Sequence, residues 1–215
     1  MNRYYTVIGL TGQTGSGKSS LSVFLKDNGF YVIDCDKVSR EVSSDGSECC
    51  KELKKYFPTC IDENLHLDRK TLGSIVFSSG EKLELLDRVI FPFILEKINS
   101  LVRSACSKGY EVMILDAPTL FESGAYKLCK KIISCVADEK VRCSRIMKRD
   151  SLTEKQAMER IKSQKSESFF KSNSDIVIEN GGGTDSLCRA ADFLSQRIKE
   201  MQYGFKYKKQ NKKQI

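Results

Sequence analysis

Five short runs along the chain are apolar and dominated by β-branched residues: Tyr4–Leu10, Tyr31–Asp34, Glu111–Asp116, Lys131–Val136 and Asp175–Glu179. Runs of this length and composition predict buried strands. Between them the apolar positions change to helical spacing. Leu21, Phe24 and Leu25 follow the first run, and Leu187, Ala190, Ala191, Leu194 and Ile198 form a stripe on a helix over about Asp185 to Met201. Strands that are apolar throughout and alternate with helices predict an α/β fold, a five-stranded parallel sheet covered on both faces in three layers. The stretch between the second and third runs is too long for a simple crossover. From Val38 to Lys108 it reads as several helices, one of them strongly periodic through Leu83, Leu86, Val89, Ile90, Phe93, Ile94 and Ile98. Such an insertion is placed to cover the C-terminal edge of the sheet, where α/β folds bind ligands. An extra structural helical layer is the plainer alternative.

The first strand runs straight into Gly12-Gln13-Thr14-Gly15-Ser16-Gly17-Lys18-Ser19, with Ser20 opening the helix behind it. Every fixed position of the phosphate-cradling pattern G-x-x-x-x-G-K-[ST] is filled, and strand, glycine loop and helix come in the required order. Glycines let consecutive N–H groups turn inward as an anion nest, and the helix N-terminus adds partial positive charge. Lys18 is expected at the β- and γ-phosphates of a nucleoside triphosphate, and the Ser19 hydroxyl on Mg²⁺. A glycine turn that binds nothing would not need this context.

Composition narrows the class. The 215 residues, 40% of them hydrophobic, suit one α/β domain with an insertion, and no apolar run reaches membrane-spanning length. The N-terminus opens on the first strand, so no cleavable signal is expected. Nine cysteines with no C-x-x-C pair read as small reduced hydrophobes of a cytoplasmic protein. With His66 the only histidine, a Cys/His zinc site or a histidine base is set aside. Of the net charge of +8, five lysines lie within Tyr203–Ile215, a stretch without acids, which leaves +3 for the rest. That tail reads as a solvated, mobile extension, with a nucleic-acid arm as the less favoured reading.

Two further clusters carry candidate chemistry. Between the fourth and fifth strands Arg142, Arg145, Lys148, Arg149, Lys155, Arg160, Lys162 and Lys165 crowd a helical region, where Arg145 and Arg149 share a face. Either this is a solvated basic face or a lid whose arginines close over phosphates, with Arg149 the arginine finger and Arg145 the alternate. At the end of the second strand, Asp34 and Asp36 are both placed to accept or orient the proton of an alcohol acceptor. Their spacing of two puts them on one face if the chain stays extended. Capping the following helix is the plain alternative for Asp36.

Taken together, Gly9–Gly12 with Gly15–Ser19, Val32–Asp36 with Arg40, Leu67-Asp68-Arg69, Pro118-Thr119-Leu120-Phe121-Glu122, Arg145–Asp150, Gln164 and Asn180 resemble dephospho-coenzyme A kinases, over residues 4 to about 200. The resemblance implies a P-loop kinase with core segments 1–37, 109–140 and 174–202, a helical coenzyme A insertion over 38–108 and a lid over 141–173. The kinase domain is then 1–202, followed by a basic flexible tail over 203–215. It also implies ATP and Mg²⁺ as cofactors and transfer of the γ-phosphoryl group to the ribose 3′-hydroxyl of dephospho-coenzyme A. Asp36 becomes the base and Asp34 a supporting or Mg²⁺-linked residue. Arg145 and Asn180 join the nucleotide site, and Asp34, Arg40, Asp68, Arg69, Pro118, Leu120 and Glu122 the acceptor site. Three positions depart from the family pattern: Gln13-Thr14 for a usual Gly-Ile, Phe91 for a usual His before Pro92, and Arg142 for a frequent Gln.

The nearest alternative is another small P-loop kinase acting on a nucleoside, a nucleotide or a shikimate-like alcohol. A GTPase switch is disfavoured, since no N-K-x-D motif occurs. A cytoplasmic monomer without membrane or nucleic-acid partners is expected, with higher oligomers left open.

Overall fold

The computed structural model describes residues 5–210, without the side chains of Phe77, Thr184 and 202–210. Strand β1 (Thr6–Gly12) feeds helix α1 (Lys18–Asp27), and β2 (Tyr31–Asp34) passes directly into α2 (Cys35–Val42). Helices α3 (Glu48–Tyr56), α4 (Arg69–Phe77) and α5 (Gly80–Ser107) complete the insertion before β3 (Val112–Asp116) and β4 (Lys131–Val136). A helical flap of α6 (Glu139–Asp150), α7 (Glu154–Lys162) and α8 (Glu167–Ser172) leads to β5 (Ile176–Glu179) and the last helix, α9 (Thr184–Gln210). The five strands pair in the order β2-β3-β1-β4-β5, all parallel. The expected five-stranded parallel sheet is therefore present.

Side-chain alternation along the strands divides the core. Ile8, Leu10, Ile114 and Ile133 meet Leu21 and Leu25 of α1 and Leu187, Leu194 and Ile198 of α9. On the opposite face Val7, Ile33, Met113 and Leu115 meet Val38 of α2 and Ile98, Val102 and Ala105 of α5. Each of these large aliphatic side chains contributes about 1.5–3 kcal/mol by leaving water. The insertion has a core of its own, in which Cys49, Cys50, Leu53, Phe57, Leu72, Val76 and Val89 are buried. Helix α5 joins the two: its first half lines the insertion core and its second half the sheet. Pro92 stands at the changeover, where its missing N–H removes one helical hydrogen bond.

Two expectations on boundaries change. The first strand was expected from Tyr4, which lies outside the described residues; β1 begins at Thr6 and continues to Gly12. Helix α9 was expected to end near Met201, but its backbone stays helical to Gln210. Residues 211–215 lie outside the described residues. Among the described residues no disulfide forms, and Cys49, Cys50, Cys60, Cys135 and Cys143 are buried as small apolar side chains.

Candidate active site

Two glycines at positive φ, where a Cβ would meet its neighbours, shape the phosphate loop. Gly12 has φ 151°, and a Cβ there would lie 2.2 Å from the Cys135 carbonyl oxygen of β4. Gly17 has φ 98°, and a Cβ would strike the Asn180 amide at 2.3 Å. Gly17 is also the N-cap of α1 and offers no side chain to the first N–H groups. By contrast Asp34, Ser47, Asp68, Asp138, Thr153 and Ser166 cap α2, α3, α4, α6, α7 and α8 with their own oxygens. The N-terminus of α1 is thus left open to an anionic ligand.

A cavity of about 780 Å³ opens over this loop, lined by residues of the loop itself and by Asp36, Pro118, Arg145, Arg149, Arg160, Gln164 and Asn180. Lys18 Nζ pairs with the carboxylate of Asp116, and both side chains are largely buried. Asp116 ends β3 in register with Leu10 of β1 and Asp34 of β2, so the strand order itself delivers a carboxylate to the loop. Asp36 opens into the same cavity from the first turn of α2. Desolvation by the surrounding protein raises its carboxyl above the ordinary aspartate range, helped by Asp34 and Asp116 and opposed by Lys18 and Arg40.

Around the loop, hydrogen bonds fix the backbone from outside. Arg145 Nη1 donates to the carbonyls of Gly15 (3.1 Å), Ser16 (3.3 Å) and Asn180 (3.3 Å), and its Nη2 to that of Gly182 (3.0 Å). The buried Asn180 amide donates to Ser16 O at 2.7 Å, and Thr14 N donates to Gln164 Oε1 at 2.8 Å. Arg149 is held at the cavity mouth by two 2.8 Å bonds to Asp150, whose Oδ2 also accepts from Arg160 Nη1 at 2.7 Å. One carboxylate therefore steadies two cations that face the phosphate-binding space.

Several expected site residues have other work. The chain does not stay extended through the aspartate pair: α2 starts at Cys35, and Asp34 caps it by accepting Lys37 N at 2.9 Å. The capping role considered for Asp36 belongs to Asp34, which does not line the cavity. Leu120 is fully buried, and a Cβ on Gly9 would lie 2.5 Å from it, so it is a core side chain with no surface for an acceptor. Glu122 is half exposed, 4.0 Å from Lys165, and outside the cavity lining. Asp68 accepts Lys70 N and Thr71 N as the cap of α4. Arg69 donates to Ser43 O (2.7 Å), Ser43 Oγ (3.0 Å) and Arg40 O (3.2 Å), closing the C-terminus of α2. With Arg40 and His66 these two line a second, separate concavity. Phe91 packs beside Ala117, Leu120 and Ala125, an apolar role for the position where the resembled family carries histidine.

Asp116 is a functional candidate that sequence reasoning did not single out for this site, whereas Arg160 entered only as a member of the basic region and Gln164 only as a member of the family-like set, neither with a role of its own. An apolar strand ending in an acid next to the loop strand was the available signal for Asp116.

A cleft floored by a glycine loop and an uncapped helix N-terminus, with a lysine on one side and a carboxylate facing the opening, has the parts that phosphoryl transfer uses. Fold and cleft together define a P-loop kinase. The family model described as dephospho-CoA kinase matches residues 6–186. The chain belongs to the dephospho-CoA kinase family, ATP-dependent kinases that phosphorylate an alcohol. It is 36% identical over 192 residues to the dephospho-CoA kinase of Fusobacterium nucleatum, covering 89% of this chain and 98% of that one. A crystal structure from Thermus thermophilus superposes with TM-score 0.74 at 29% identity, over 90% of this chain and 98% of that one. The dephospho-CoA kinase of Campylobacter jejuni superposes with TM-score 0.65 at 27% identity, over 89% and 96%.

Proposed function

We propose that the protein transfers the γ-phosphoryl group of ATP to the ribose 3′-hydroxyl of dephospho-coenzyme A, giving coenzyme A and ADP, with Asp36 as the group that takes the hydroxyl proton. The observation that carries this reading is the position of Asp36: a carboxylate with a raised proton affinity, open to the cavity that Lys18 and Arg149 also reach. The acceptor oxygen bonds to the γ-phosphorus while the bond to the bridging oxygen of ADP breaks, and the proton passes to Asp36. Lys18 exchanges Asp116 for the β/γ-phosphates, and Arg149 neutralises charge on the transferred group. Arg40, close enough to Asp36 to lower its pKa, lends positive charge to the acceptor side.

Mg²⁺ fits the donors present. The Ser19 hydroxyl at the loop and the Asp116 carboxylate beside Lys18 are hard oxygen ligands. No cluster of three or more metal-ligating side chains exists among the described residues, as suits an ion that draws its other ligands from phosphate and water. When bound, it neutralises charge on the β- and γ-phosphates. No helix among the described residues is long and apolar enough to cross a membrane. Five cysteines buried as small apolar side chains support a cytoplasmic location.

ADP release coupled to a reporter, with ATP, Mg²⁺ and either dephospho-coenzyme A, adenosine, AMP or shikimate, tests the assignment. Turnover is expected to be highest with dephospho-coenzyme A. Equal turnover of another of these acceptors would overturn the substrate reading and leave the fold untouched.

A further inference from the structure

Two of the positions that depart from the resembled family's pattern, Gln13 and Arg142, meet in space. Gln13 is the first variable residue of the phosphate loop, and Arg142 lies in the first turn of α6 on the flap. Both are 4% exposed. With the Gln13 amide oxygen turned toward Arg142, it accepts from Arg142 Nη1 at 3.1 Å and from Glu167 N, at the start of α8, at 3.3 Å. The opposite orientation would set donor against donor. A second contact lies two residues on, where a Cβ on Gly15 would be 2.9 Å from the Arg142 carbonyl oxygen. The loop is thus touched by one residue of α6 on both sides of Thr14.

The burial of Arg142 calls for a reason. Among the described residues its Nε has no partner and no carboxylate is bonded to it. Burial pushes the guanidinium's proton affinity down, against the opposing pull of Glu139, Glu167 and Asp138. A buried, incompletely satisfied cation costs stability. Arg142, Arg145 and Arg149 recur three and four residues apart and lie on one stripe of α6. Arg145 bonds the loop at Gly15 and Ser16, and Arg149 reaches the cavity.

We propose that Gln13 and Arg142 form a strut that sets the register of α6 on the phosphate loop, making Arg142 a positioning residue for ATP. The strut holds the outer turn of the loop so that its N–H groups already point at the phosphates, and it seats the arginine stripe over them. Without it the loop must be ordered by ATP itself, which weakens binding.

Arg142→Met, Gln13→Ala and the double variant form the test, read by KM for ATP, KM for dephospho-coenzyme A and Tm. Each single change is expected to raise the ATP KM about tenfold, with the acceptor KM within twofold of the wild type. The double variant is expected to be no worse than the poorer single, because both remove the same contact. Arg142→Met should not lower Tm, since it removes a buried charge, which sets positioning apart from a merely structural role. Multiplying effects in the double variant, an unchanged ATP KM, or a fall in Tm with ATP KM intact would each overturn the proposal. Should Arg142→Met fail to fold, Gln13→Ala decides alone: an ATP KM within twofold of the wild type overturns it.

Discussion

At the scale of single residues, the division of labour between Asp34 and Asp36 makes the sharpest prediction. Asp36→Asn keeps shape and loses the proton acceptor, so kcat is expected to fall roughly 10²- to 10⁴-fold with ATP affinity little changed. Asp34→Asn keeps an oxygen for Lys37 N and should leave kcat nearly intact. Loss of turnover in Asp34→Asn alone would identify the other aspartate as the base. The raised proton affinity of Asp36 fixes the direction of two pH effects. Because the base must be ionised, kcat falls as pH drops, and the fall begins at a higher pH than for an ordinary aspartate. Because the folded protein binds this proton more tightly than the unfolded chain, the associated stability is present at low pH and lost as pH rises through the folded value. Asp36→Asn mimics the protonated carboxyl, so its Tm near neutrality should equal or exceed that of the wild type, and a lower Tm would contradict this. Arg149 gives a second prediction. Arg149→Ala should lower kcat roughly 10²- to 10⁴-fold if it stabilises the transferring phosphoryl group. Asp150→Ala, which releases Arg149 and Arg160 without removing either, should cost less. Near-normal turnover in Arg149→Ala would leave it a solvated cation and pass the role to Arg160 or Arg145.

At the scale of elements, the loop–helix junction shows how local conformation and ligand chemistry are one problem. Gly17→Ala would place a Cβ at positive φ, costing about 1–2 kcal/mol, and drive it against the Asn180 amide that holds Ser16 O. The variant is expected to weaken ATP binding at least tenfold, measured by calorimetry, and wild-type affinity would show that the junction tolerates rearrangement. The strands and the loop were legible because periodicity and glycine spacing are local signals. Asp116 was less so: as the last residue of an apolar run it reads as a strand end, and only the β2-β3-β1 order brings it to Lys18. The aspartate pair misled for a related reason, since a spacing of two places side chains on one face only in extended chain, and Asp34 turns the chain into a helix. Leu120 was assigned to the acceptor through a motif shared with the family, whereas its burial depends on packing over Gly9 of β1, the strand paired with β3. Arg160 stood in a run of charges and Gln164 in the family-like set without a role; that the one is held by Asp150 and the other bonds Thr14 N depends on how α7 and its C-terminal turn meet α6 and the loop.

At the scale of the whole molecule, the two halves of the cleft belong to bodies with separate cores. The phosphate loop is anchored to the sheet, and the flap carries its own small core of Cys143, Ile146, Ala157 and Ile161. The flap meets the sheet's phosphate loop through Arg145, bonded to Gly15, Ser16 and Asn180, through Gln164 on Thr14 N, and through the Gln13–Arg142 contact. The basic C-terminal segment follows, in sequence, the inner stripe of α9 that covers the sheet from Leu187 to Ile198, with Met201 packed against it. Its five lysines nevertheless supply most of the net charge. If that charge serves only solubility, deleting residues 203–215 should leave kcat and both KM values within about twofold and Tm nearly unchanged. If it is an arm for nucleic acid, the full chain should bind single- or double-stranded DNA or RNA with an affinity that falls steeply with salt, and the deletion should abolish this. We expect the first outcome, because the anionic substrates already account for the cations that line the cleft. Salt-dependent binding by the full chain, lost on deletion while kinase activity persists, would assign the segment a second role.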